Sequence, residues 1–111
     1  MTTEIIYVQS RASEQVSGTK PRTYYSDEGT VLWKAVLRGN FLYTGTNATC
    51  TYSACDVTVY DSAWYTVSKN PAMEGNKATC DLTMGRKVLG ITVSKVPVSM
   101  VLTCDANGNL S

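Results

Sequence analysis

The residues with most chemistry to offer are the four cysteines, Cys50, Cys55, Cys80 and Cys104. A thiolate can attack an electrophile, ligate zinc or join a second sulfur. The spacing of Cys50 and Cys55 departs from the Cys-x2-Cys of a zinc knuckle, and the chain has no histidine to complete a mixed site. No metal site is therefore expected. An even number of cysteines in a small chain fits two disulfides; four buried thiols packed as small hydrophobes fit equally. If a bridge forms, Cys50–Cys55 is the expected one, because a hairpin loop from Thr51 to Ala54 would set the two opposite each other. Cys80 and Cys104 are expected to stay apart, at opposite ends of two parallel-running strands of a meander.

The missing histidine also removes the commonest general base, so the plentiful serines and threonines have no ordinary triad to join. The carboxylates are spread along the chain, and Asp56 and Asp81 fall on outward strand faces. Asp105 to Asn109 has a faint look of a calcium loop, but an EF-hand loop needs about twelve residues ending in glutamate. Asx-Gly turn chemistry accounts for the segment without a metal. Asn47-Ala48-Thr49 is a glycosylation acceptor tripeptide, which matters only on a secretory route. Tyr60, Trp64 and Tyr65 surround the turn residues Asp61-Ser62 and form the candidate ligand-binding cluster. Exposed Trp and Tyr near a loop anchor protein or carbohydrate partners because they bury much area at low entropic cost. The competing assignment of Trp64 is the core.

These residues need a scaffold, and the pattern for it is β. Ala78, Cys80, Leu82 and Met84 share one face, with Thr79, Asp81 and Thr83 on the other. Leu89, Ile91 and Val93 share a face, as do Val96, Val98, Met100, Leu102 and Cys104. A period of two with β-branched enrichment predicts half-buried antiparallel strands. Gly85-Arg86 and Ser94–Pro97 are the expected turns of this meander, with a bulge at Gly90. Val31, Trp33, Ala35 and Leu37 alternate with Leu32, Lys34, Val36 and Arg38, so Ser26–Asn40 reads as strand, although Ser26 or Thr30 and Gly39 could cap a helix. A further helical turn could begin at Pro71. Shorter runs at Asn40–Thr44, Ala48–Ser53, Cys55–Tyr60 and Ala63–Ser68 bring the expected total to eight or nine short strands.

Ile5, Ile6, Tyr7 and Val8 form a first run that is apolar on both faces, which suits a strand buried or paired with another subunit. The polar Ser10–Lys20 reads as a loop or extended arm, so residues 1–22 are an N-terminal strand and arm on a single β domain spanning 1–111. The expected fold is all-β: one antiparallel β-sandwich or small barrel with little helix.

A chain of 111 residues, 43% hydrophobic, has one core and is not disordered. A net charge of +1 without a basic stripe argues against nucleic acid. No apolar run approaches the roughly 20 residues of a membrane span, and the start lacks a basic-then-apolar leader pattern. Together these readings predict a non-enzymatic protein without cofactor. The expected role is a structural subunit of a homo-oligomeric assembly, of virion or surface-filament type, acting through its sheet surfaces. The alternative is a secreted recognition module at the cell surface, adhesin- or inhibitor-like, binding protein or carbohydrate.

Overall fold

The structure, a computed structural model, describes residues 14–111. The first apolar run, Ile5 to Val8, lies outside the described residues. Among the described residues six strands follow one another without a helix: β1 (Glu14–Tyr25), β2 (Val31–Tyr43), β3 (Ala48–Val59), β4 (Trp64–Glu74), β5 (Lys77–Val88) and β6 (Ile91–Thr103). They form two three-stranded antiparallel sheets, β1-β2-β3 and β4-β5-β6. The central strands β2 and β5 face each other, with β3 over β4 and β1 over β6. This is the arrangement of a small β-sandwich, as the alternation predicts. Among the described residues no helix is long and apolar enough to cross a membrane.

The core is built from the two alternating runs read in the sequence. Trp33, Ala35, Leu37 and Phe41 of β2 meet Ala78, Cys80, Leu82 and Met84 of β5, and Val98, Met100 and Leu102 of β6 close one side. A central strand buries one full face, so each alternate position must be apolar. Ser53 Oγ donates to the Thr79 carbonyl at 3.1 Å, tying β3 to β5. On the opposite side the Lys20 ammonium donates to the Val101 carbonyl at 3.0 Å, tying β1 to β6.

The strands are fewer and longer than expected, and several boundaries move. Glu14–Lys20 is strand rather than arm: it pairs along β2, from Glu14 opposite Tyr43 to Lys20 opposite Leu37. Its polarity is that of an edge strand, exposed along most of its length. Ala48–Ser53 and Cys55–Tyr60 fuse into β3, and Pro71 lies inside β4 rather than opening a helical turn. The meander from Ala78 to Cys104 is a single long hairpin. Gly85 and Pro97 lie within strands, opposite Tyr65 and Thr83, and the turn is Leu89-Gly90. Gly85 is a glycine because the Tyr65 ring lies across it: a Cβ there would meet the ring at 2.7 Å.

The same register corrects the expected Cys50–Cys55 bridge. Both residues belong to β3, about 16 Å apart along the strand at roughly 3.3 Å per residue, whereas a disulfide needs Cα atoms within about 7 Å. No loop separates them. A bulge at Thr51, where Asn40 opposes Tyr52 and Phe41 opposes Cys50, shifts the alternation so that both point inward. Cys80 and Cys104 are also unbridged, though for a different reason from the one expected. β5 and β6 are antiparallel neighbours, and Cys80 opposes Met100, well short of Cys104.

Candidate functional site

All four cysteines are buried free thiols. Burial pushes the Cys55 thiol up to about 12, and its contact with the Cys80 thiol adds to the rise. Burial likewise raises Cys50, whose thiol donates to the Tyr52 carbonyl, and Cys104, whose thiol donates to the Asp105 carbonyl. A raised thiol is the opposite of an activated nucleophile or a ready metal ligand. Among the described residues no cluster of His, Cys, Asp or Glu could hold a metal ion. In the Asp105–Asn109 turn the carboxylate is occupied by its own chain. It accepts from the Asn107 and Asn109 N–H groups, each at 2.9 Å, and from the Asn109 side chain at 3.1 Å. These bonds, Asn109's first, hold the Asp105 carboxyl below its usual range. Asn47 is exposed in the β2–β3 turn at this same end.

The opposite end gathers three connections: the β1–β2 turn, the β3–β4 loop and the β5–β6 turn. Backbone bonds lock them together. The Tyr60 and Asp61 N–H groups donate to the Leu32 carbonyl at 2.9 and 3.1 Å, and the Lys87 N–H donates to the Ala63 carbonyl at 2.8 Å. Asp61 Oδ1 accepts from the Ala63 N–H at 2.8 Å, which fixes the loop before β4 starts.

Two surfaces share this end. One is an open depression of about 370 Å³ lined by Tyr24, Tyr25, Asp27, Asp61, Trp64 and Arg86. Tyr24 opposes Trp33 in the ladder and stacks on it, centroids 5.2 Å apart and planes 6° apart, while it tilts against Trp64 at 5.4 Å. The other is a two-stranded ribbon. β4 begins at Trp64 opposite Arg86, so beyond Lys87, whose N–H still reaches Ala63, β5 and β6 pair only with each other. The ribbon's tip carries Val88, Leu89, Ile91 and Val93, all exposed, Leu89 at 96% and Ile91 at 67%. Leu89 has φ 53° and Gly90 φ 78°, the two positive angles of a type I′ turn. Arg86, Lys87 and Lys95 flank the tip, and no carboxylate occurs between Asp81 and Asp105.

The three aromatics of the expected ligand-binding cluster do not share a surface. Trp64 is buried in the core. Tyr65, the next residue along β4, points the other way, bonded to Thr92 Oγ1 at 2.6 Å beneath the Lys87 ammonium, 4.6 Å from the ring centroid. Tyr60 stands exposed on the loop. The sequence signal for the ribbon, four apolar residues around a glycine between cations, was readable, but the pattern alone assigned it to a covered strand. No family model matches this chain, and neither a curated protein nor a solved structure matches it.

Proposed function

We propose that this chain is a non-catalytic subunit of a larger assembly, of virion or surface-filament type, and that it works by presenting surface to further copies. The observation that carries the reading is the ribbon tip. Four apolar side chains, Val88, Leu89, Ile91 and Val93, are exposed on the part of β5–β6 that extends past the start of β4, Leu89 and Ile91 most of all among the described residues. Large contiguous apolar exposure is rare on a monomer and marks an interaction site. The leucine at the apex sits in a left-handed backbone conformation that disfavours it, where asparagine is the common choice. Absence of activity is supported by the chemistry available: no histidine, and buried thiols of which Cys50, Cys55 and Cys104 are raised by burial.

A second reading, a recognition module for carbohydrate or protein, draws on the depression. Aromatic rings beside carboxylates and an arginine suit a polar ligand with apolar faces.

Light scattering separates the two. The full chain should form a discrete oligomer, and removing Met1–Ser10, which carries Ile5, Ile6, Tyr7 and Val8, should leave a smaller species that is still folded. A full chain that stays monomeric at high micromolar concentration overturns the assembly reading and leaves the recognition module.

A further inference from the structure

We infer that the chain pairs through its loop end with a second copy, the β5–β6 ribbon of each seating in the depression of the other. The inference rests on the assembly reading above. Three features select this occupant.

The first is charge. The ribbon carries only cations, Lys87 and Lys95, while Arg86 at its base lines the depression beside the carboxylates. The mouth of the depression carries Asp27 and Asp61, with Glu28 next to Asp27 on the same turn. Both signs lie at one end of the molecule, on different connections. A second copy presents the matching pattern without any other partner being needed. Opposed potentials of this kind set register and partner choice.

The second is apolar fit. The tip offers Leu89 and Ile91, both largely exposed, and the half-buried Tyr24 and Leu32 form the apolar part of an otherwise polar depression. Apolar anchors set against a few aromatic and aliphatic groups within a charged, polar rim make the usual anatomy of a specific contact.

The third is connectivity. A ribbon held by its own ladder, Lys87 opposite Thr92 and Val88 opposite Ile91, does not fold back into its own depression. Each copy has one ribbon and one depression at the same end, so two copies satisfy both at once. The contact is isologous and closes on a two-fold axis.

Charge reversal tests this directly. In the rim variant, Asp27→Lys with Glu28→Lys, ribbon and rim are both basic. In the ribbon variant, Lys87→Glu with Lys95→Glu, both are acidic. All four positions are exposed, and an unchanged circular dichroism spectrum with a single cooperative melt establishes that each variant is folded, Lys87→Glu losing its contact with the Tyr65 ring. By sedimentation, each variant alone should associate at least about tenfold more weakly than the wild-type chain, as like charges face each other. An equimolar mixture should regain wild-type association, because each ribbon then meets an opposite rim. If the wild-type chain associates but the variants associate as well as it does, or the mixture gains nothing, the ribbon contact is wrong while the assembly reading stands. If the wild-type chain does not associate, both fall.

Discussion

Gly85→Ala tests the packing beneath the ribbon. Gly85 lies mid-strand opposite Tyr65, and its φ is not positive, so the backbone accepts alanine. Were there space, the change would stabilise by about 0.4–1 kcal/mol through the unfolded chain. The Tyr65 ring removes that space. A Cβ would lie 2.7 Å from Cζ and 2.8 Å from Cε1, some 0.7 Å inside the 3.4 Å at which ordinary contact begins (3.4 − 2.7). The ring does not recede freely, because its hydroxyl is bonded to Thr92 and the Lys87 ammonium sits over its face. Overpacking of this order costs about 1–3 kcal/mol. The overlap therefore outweighs the entropic gain, and the net loss should be about 1–2 kcal/mol. For a domain of this size each kcal/mol lowers Tm by about 4–8 °C. The assay is a thermal and urea melt of the wild-type chain, Gly85→Ala, Tyr65→Ala and the double variant. In the Tyr65→Ala background the glycine substitution should become neutral or stabilising, since the clash has gone. An equal cost in both backgrounds, or a single variant more stable than wild type, would refute the claim that the ring dictates the glycine.

Two other outcomes follow from the same geometry. Leu89→Asn should raise stability by up to about 1 kcal/mol, because asparagine tolerates the left-handed angle of a type I′ turn, yet it should weaken self-association; a melt and a sedimentation run on one sample check both. The raised thiols make stability fall in alkali. Above the ordinary thiol value of 9.0 the unfolded chain releases protons that the folded chain retains, Cys55 until about 12, so the loss should develop between pH 9 and 12. Cys50 and Cys104 act in the same direction. Urea midpoints that stay flat across that window would contradict the burial of these thiols, and Cys55→Ala should flatten the slope in part.

The cores of β2 and β5 were legible because their periodicity is local: Trp33, Ala35 and Leu37, or Ala78 to Met84, point inward at every second residue without interruption. What failed has a non-local cause. Gly85 reads as a turn, yet it is glycine on account of a ring from another strand. The true turn at Leu89-Gly90 lacks the asparagine or aspartate that would announce it. A bulge at Thr51 turns Cys50 and Cys55 to the same side, and no neighbouring residue signals it. The polar edge strand β1 reads as an arm because an edge strand in a small sandwich buries little. The aromatic cluster dissolves because Trp64 and Tyr65 are adjacent in a strand and so point oppositely.

The strand edges give an independent reason to place the contact at the loop end. A three-stranded sheet has two free edges, and each exposes donors and acceptors that can template another strand. Here all four are interrupted. The chain's three prolines, Pro21, Pro71 and Pro97, lie in β1, β4 and β6, each an edge strand. Proline lacks the N–H a pairing strand would need. The fourth edge, β3, carries the Thr51 bulge, while β4 and β6 carry bulges at Val67 and Val93 as well. Bulges twist an edge away from further pairing. Continuous sheet growth from copy to copy is thus resisted along every side of the sandwich. The loop end has no such obstruction. There the chain keeps apolar side chains exposed and holds a leucine in a costly backbone conformation at the apex. Assembly through the end, with the sides closed to pairing, gives a discrete contact rather than an open-ended sheet.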